Sequence, residues 1–427
     1  MMLLLAILLL LAAALGAPLF AVIAGVAMLG FQSVETPLTV MGIELYRIVD
    51  TPILLALPLF TFAGYMLGES RTSVRLVRIT QSLIGWMPGG LAIVAFLTCA
   101  FFTAFTGASG VTIVALGALL YPALKQAGYQ ERFSLGLVTT SGSLGLLLPP
   151  SLPLILYAVI AQQLPDGSGI TIQDVFKAGL LPALVMIGFL SLYGLWITRR
   201  FPIPLQQFNA GEVKAAMWEA KWELPLPIVV LGGIYGGFFA VSEAAAVTAL
   251  YVIVVECLIY KEIPLRKLPD IMRESMVMVG AVLLILGVSL ALTNWLIEAE
   301  VPTRLFDFLK AHIDSRFTFL LLLNVFLLVL GCLLDIFSAL VIMIPLLLPV
   351  AVGFGVDPVH LGIIFLANMQ IGYCTPPVGM NLFMASYRFK KPITELYLAT
   401  WPFLVVLFAA VLVITYVPWL SLAFLAR

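Results

Sequence analysis

Charge is what this sequence has least of. Only 10% of its 427 residues are charged, and 22 Lys and Arg offset 22 Asp and Glu, so neither a nucleic-acid partner nor a polybasic lipid anchor is indicated. Histidine occurs twice, at His312 and His360, and cysteine four times, at Cys99, Cys257, Cys332 and Cys374. Each stands alone, without metal or disulfide spacing. No His-Glu-x-x-His or Gly-x-Gly-Asp is present to support an intramembrane hydrolase, and no Gly-x-x-x-x-Gly-Lys-Ser/Thr marks ATP as the energy source. What remains is apolar: 62% of residues are hydrophobic and the mean hydropathy is +1.13, the composition of an integral membrane protein.

Two stretches interrupt that apolar background. Ser141-Gly-Ser-Leu-Gly-Leu-Leu-Leu-Pro-Pro-Ser-Leu-Pro153 and Ile371-Gly-Tyr-Cys-Thr-Pro-Pro-Val-Gly-Met-Asn381 each put glycine and a Pro-Pro pair inside a hydrophobic run. Paired prolines break a helix. Backbone freed at membrane depth survives only where protein buries it or where it lines a cavity, so the two breaks read as halves of one substrate and ion site.

A spanning helix needs about 20 apolar residues. Met2–Leu29 meets that length and reads as a first span rather than a signal peptide, because no Lys or Arg precedes Arg47. A short loop should lead to a second span, Thr51–Leu67. Ser73–Trp86 is amphipathic, with Val74, Leu76, Val77 and Ile79 against Arg75, Arg78 and Gln81, which predicts an arm lying flat on the interface. The apolar runs Gly90–Phe105 and Val111–Leu124 are short and separated by Thr106-Gly-Ala-Ser-Gly110. That suggests a re-entrant hairpin with this tip. The broken segment Phe133–Ala161 and the span Val175–Thr198 follow.

After a polar connection the order repeats. Leu224–Phe239, Ala244–Tyr260 and Ser275–Leu296 are apolar, Ala299–Ser315 is a second amphipathic arm, and Phe317–Leu333 with Val341–Val352 make a second hairpin through Asp335-Ile-Phe-Ser338. His360–Ala385 is the second broken segment, and Leu396–Phe424 is the last apolar run. Pro149-Pro150 and Pro376-Pro377 are related by 376 − 149 = 227, and the same offset carries Pro122 to Pro349, Gly128 to Gly355 and Gly145 to Gly372. An internal repeat follows. The expected division is a first repeat over 1–200 (hairpin about 90–124, broken helix about 133–161), a connecting loop and linking helix over 201–240, and a second repeat over 241–427 (hairpin about 317–352, broken helix about 360–385).

With a cytoplasmic N-terminus, Arg71, Arg75, Arg78, Lys125, Arg132, Arg199, Arg200, Lys261, Arg266, Lys267, Arg273, Arg388, Lys390 and Lys391 all fall inside. The halves then come out inverted, with Leu224–Phe239 as the odd connecting pass. Inverted repeats with broken helices are a plan of secondary transporters, whose site lies near the midplane. A passive channel is the competing reading, although no ring of charged pore residues is evident.

Phe105-Thr-Gly-Ala-Ser-Gly110, Gly145-Leu-Leu-Leu-Pro-Pro-Ser-Leu-Pro153, Leu231-Gly-Gly-Ile-Tyr-Gly-Gly-Phe-Phe-Ala-Val-Ser-Glu243, Leu330-Gly-Cys-Leu-Leu-Asp335 and Thr375-Pro-Pro-Val-Gly-Met-Asn-Leu-Phe383 resemble the large membrane subunit of tripartite ATP-independent periplasmic transporters. This is the DctM-like family of the ion-transporter superfamily. The resemblance covers nearly the whole chain. It implies an all-α, multi-pass protein of the bacterial inner membrane, with a scaffold and an elevator-type transport domain. The implied activity is sodium-coupled import of small organic anions, such as a C4-dicarboxylate, sialic acid or a similar carboxylate. A small four-helix membrane subunit (Q type) and a periplasmic substrate-binding protein (P type) are the implied partners. A binding-protein-independent, ion-coupled carboxylate transporter is a further alternative.

An anion that must later leave is best held by free N–H groups and helix N-termini, and sodium by a cage of oxygens. Substrate contacts are therefore expected at Thr106, Gly107, Ser109, Gly110, Pro149, Pro150, Ser338, Pro376, Pro377 and Asn381. Sodium contacts are expected at Ser141, Gly142, Ser143, Gly145, Asp335, Gly372 and Thr375. Asp335 could instead cap the helix that follows it, Glu243 is expected to cap its own helix, and Asn368 could touch substrate or brace the loop. No prosthetic group is expected.

Overall fold

The computed structural model describes every residue except 1–7, 10, 13–14, 50–51, 88, 201–207, 314 and 426–427. Among the described residues all regular structure is helical, because a helix satisfies its own backbone where no water can. The first helices are α1 (Leu19–Ser33), α2 (Thr39–Val49), α3 (Ala56–Glu69) and α4 (Thr72–Ile84). The first hairpin is α5 (Gly90–Thr106) and α6 (Ser109–Gln126). The first broken helix is α7 (Glu131–Ser141), a 3-10 turn at Leu144–Leu147 and α8 (Leu152–Gln162). Then come α9 (Ile172–Arg200), α10 (Ala210–Glu219), α11 (Pro225–Tyr235) and α12 (Val241–Ile253), which runs on into a π turn at Val254–Ile259. The second series is α13 (Leu268–Glu298), α14 (Val301–His312), the hairpin α15 (Arg316–Leu333) and α16 (Ile336–Gly353), and the broken pair α17 (Pro358–Gly372) and α18 (Met380–Phe389). The last helices are α19 (Ile393–Tyr416) and α20 (Trp419–Leu422).

Six of the described helices are long and apolar enough to cross a membrane, or seven if the bent pair Glu131–Leu147 and Leu152–Gln162 is one span. The offset found in the sequence reappears in the helix bounds: 336 − 109 = 227 and 353 − 126 = 227 carry α6 onto α16 end for end.

Four expectations need correction. The start of the predicted span Met2–Leu29 lies outside the described residues. The described part is not one helix, since Gly16 has φ +89° and α1 starts only after Pro18. The connection to the second span is not a simple loop, because it holds α2, whose Glu44 carboxylate accepts from Asn294 Nδ2 of α13 at 2.8 Å. Residues 201–207 of the long connection also lie outside the described part. The linking helix α11 has only 11 residues, about 16 Å at 1.5 Å per residue, roughly half the hydrocarbon thickness. The run stops because Phe238 and Phe239 turn their N–H groups back to the Gly233 carbonyl, so α11 alone is not the full pass expected of it.

The fourth correction concerns the first arm. α4 is amphipathic, but Arg75 faces inward, 4% exposed, while Val74 is 44% exposed. Three carboxylates reverse the faces. Arg75 Nε is bonded to Glu223, Nη1 lies 2.5 Å from Glu262 Oε1, Nη2 lies 3.6 Å from Glu256 Oε2, and the guanidinium stacks 4.1 Å from the Tyr260 ring centre. Thr72 Oγ1 donates to Glu256 at 3.1 Å. Burial pushes the Glu223 carboxyl up from its ordinary range. At Glu262 burial acts the same way, but the hydrogen bonds from Arg75 and the Arg71 backbone outweigh it and hold that carboxyl low. A buried cation in this number of bonds fixes α4 to the end of α12.

Helices α12 and α13 pack along α3, and α13 also along α1 and α2. The two hairpins pack with the broken helices and α19 into the rest of the molecule. Between these groups lies the site.

Candidate functional site

Both hairpin tips reach one cavity. It has a volume of about 590 Å³ and is lined by Gly107–Val111 of the first tip and Asp335–Ser338 of the second. Leu146 and Tyr373 enter from the two breaks, and Tyr65, Glu69, Glu274 and Met278 enter from α3 and α13. The first tip lies hard against α3: a Cβ on Gly64 would stand 2.5 Å from the Phe105 carbonyl oxygen and 2.6 Å from Thr106 Cα. Only glycine permits that approach.

Five of the predicted residues therefore line the cavity: Gly107, Ser109, Gly110, Asp335 and Ser338. Thr106 is fully buried behind the tip. Pro149, Pro150, Pro376, Pro377 and Asn381 are not among the lining residues; both Pro-Pro bonds are cis. Asp335 is a helix cap, with Oδ2 accepting from the Phe337 and Ser338 N–H groups at 3.0 Å each and Oδ1 from the Ser338 hydroxyl at 2.5 Å. Glu243 caps α12 as expected, accepting from the Ala240 N–H at 2.8 Å.

Apart from Asp335, the predicted ion residues are not among the lining residues; they lie where the two breaks are fastened together. Ser143 Oγ donates to the Gln370 carbonyl at 3.2 Å, and 370 − 143 = 227, so the bond joins equivalent positions of the two series. Thr103 Oγ1 donates to the Gly142 carbonyl at 2.8 Å, Ser141 Oγ to Val138 at 3.4 Å and Thr375 Oγ1 to Ile371 at 3.0 Å. Asn381 Nδ2 crosses to the Thr139 carbonyl at 3.5 Å. Gly145 and Gly372 perform one task twice: a Cβ would stand 2.1 Å from the Ala100 carbonyl oxygen in the first break and 2.5 Å from Gly331 Cα in the second. Each lets its break lie on the first arm of its own hairpin.

Several participants escaped the sequence reading. Tyr373 lines the cavity, and its hydroxyl accepts from the Ile336 N–H at 2.6 Å, tying the second break to the second tip; its place beside Gly372 was the available signal. Glu69, bonded to Lys267, and Glu274 lie on helix faces with no local pattern to mark them. Gln370 is fully buried, and among the described residues neither its Oε1 nor its Nε2 finds a hydrogen-bond partner, nor does Asn368 Oδ1 or Asn381 Oδ1. Asn368 braces α17 to α15, with Nδ2 donating to Asn324 Oδ1 at 2.6 Å.

The profile of a family described as "Tripartite ATP-independent periplasmic transporter, DctM component" matches residues 2–420. The C4-dicarboxylate TRAP transporter large permease protein DctM of Rhodobacter capsulatus is 36% identical over 402 residues, 92% of this chain and 91% of that protein. The chain belongs to the DctM family of tripartite ATP-independent periplasmic transporters. It is thus a multi-pass membrane permease component and not an enzyme. Another DctM relative, the isethionate TRAP transporter permease protein DctMQ of Oleidesulfovibrio alaskensis, is 34% identical over 88% of this chain but only 58% of its own length. The fold is similar to that of the Alcanivorax borkumensis YdaH transporter, with TM-score 0.62 at 13% identity, over 88% of this chain and 85% of that one.

Proposed function

We propose that this protein is the large permease of a sodium-coupled importer of small organic anions in a bacterial inner membrane. A periplasmic binding protein delivers the substrate, and a small membrane subunit braces the scaffold. The observation that carries this reading is the convergence of both hairpin tips on one cavity against α3 and α13. In this reading the two series are inverted repeats, the hairpins are re-entrant, and hairpins and breaks move as an elevator along the scaffold of α1–α3, α12 and α13. The common offset of the helix bounds and the close Gly64 contact support that division. Sodium, as co-substrate, suits the region where the two breaks are fastened together. The orphaned Gln370, Asn368 and Asn381 oxygens are neutral acceptors in need of a partner, and they adjoin the unwound carbonyls that hold sodium in such sites.

Uptake into proteoliposomes containing this chain, its small subunit and its binding protein tests the proposal. Accumulation should require an inward sodium gradient and the binding protein. Accumulation that persists without either would overturn the mechanism.

A further inference from the structure

The two tips that line the cavity are equivalent in backbone and opposite in chemistry. At 336 − 109 = 227, Ser109, Gly110 and Val111 correspond to Ile336, Phe337 and Ser338, and Ala108 corresponds to Asp335. In the second tip all three N–H groups are satisfied, by the Tyr373 hydroxyl and by Asp335 Oδ2. In the first tip Ala108 offers no side-chain cap, and among the described residues the N–H groups of Ser109, Gly110 and Val111 have no acceptor. The Ser109 side chain shares this condition. The residue is 4% exposed and lines the cavity, and its hydroxyl has no hydrogen bond among the described residues. An 18-residue helix thus brings three free donors, a free hydroxyl and its positive dipole end to one wall. The second tip brings the Asp335 carboxylate to the same lining, and Glu69 and Glu274 add two more. Among the described residues no Lys, Arg or His lines the cavity.

We propose that the cavity holds its substrate in one orientation, with a single anionic group on Ser109–Val111 and a hydrogen-bond donor, hydroxyl or ammonium, toward Asp335. The substrate class is then a hydroxy or amino organic acid, and dianions are disfavoured. The inference rests on the proposed function, since it takes this cavity as the anion site. A second carboxylate on the ligand would meet Asp335 with no Lys, Arg or His among the described lining residues to offset it, whereas a hydroxyl or ammonium group would find an acceptor.

A matched four-carbon series tests this by calorimetric titration of the full chain in nanodiscs with sodium present: succinate, 4-hydroxybutyrate, 4-aminobutyrate and butyrate. The two donor-bearing acids should bind roughly tenfold or more tighter than succinate, with butyrate between them. Asp335→Asn keeps an acceptor for the cap and should bring succinate to within roughly threefold of 4-hydroxybutyrate. Ala108→Asp places a cap and a charge on the first tip and should weaken every member by roughly tenfold or more. Succinate binding as tightly as the donor-bearing acids, or a ranking unmoved by Asp335→Asn, would overturn the oriented seat while leaving the anion site in place. If Ala108→Asp leaves every affinity unchanged, or no member binds the folded wild-type protein, the cavity is not the anion site and both readings fall.

Discussion

The first and second hairpin units share a backbone plan and differ in what their side chains do with it. Helices α6 and α16 each have 18 residues, and Gly145 and Gly372 dock their breaks on the hairpins in the same way. The first tip leaves its donors free, whereas the second consumes its own through Asp335 and Tyr373. The arms preceding the hairpins differ too. α4 is held by a buried arginine among three carboxylates. α14 has no ion pair among the described residues and packs through Phe306, whose ring lies 5.4 Å from that of Phe354. The two units therefore share close backbone approach and differ in charge, because glycine contacts are set by chain geometry while a cap or an ion pair can come from any side chain within reach.

Substitution of the arms should separate them most strongly. Arg75→Ala leaves the buried Glu223 and Glu256 carboxylates beside the partly buried Glu262 with no cation among them and is expected to cost about 3–5 kcal/mol, as for loss of one partner of a buried pair. Arg304→Ala on exposed α14 should leave thermal unfolding unchanged. Equal behaviour of the two would show that the cluster does not hold α4.

The docking glycines should show a smaller effect and a shared sign. Gly145→Ala and Gly372→Ala each force a Cβ into backbone, an overpacking expected to cost about 1–3 kcal/mol. Gly145→Ala should be the worse, with 2.1 Å available against 2.5 Å. Monodispersity after heating a graded series measures this, and a neutral result at either position would break the equivalence of the two breaks.

The smallest change is expected at the caps. Asp335→Ala should cost about 1 kcal/mol and Asp335→Asn almost nothing, since asparagine caps as well as aspartate. Removing the Ser109 hydroxyl should leave thermal stability unaltered, because it has no partner to lose. A destabilised Ser109→Ala protein would mean that the first tip is not free.

Much of this was legible in the residues. The hydropathy runs located the hairpins, and paired prolines located the breaks to within a few positions, because both signals are local and act through backbone conformation. The common offset of 227 also survived in the helix bounds. Less legible were features that depend on distant partners. Arg75 looked like an interfacial charge because the periodicity of α4 is blind to Glu223, Glu256 and Glu262, which are remote in sequence. The length of α11 was overread since the apolar run Leu224–Phe239 contains a turn closed on Gly233, and hydropathy does not register turns.

The two breaks and two tips were fixed by the sequence itself, through glycine at close approaches and proline where a helix must stop. Tertiary structure alone decided what they face. The tips met at one cavity against α3 and α13, the prolines stayed outside its wall, and Ser143 and Gln370 joined the breaks to each other. Local backbone preference acts over a few residues, whereas a cavity is defined by side chains hundreds of positions apart, and only packing determines which of them meet.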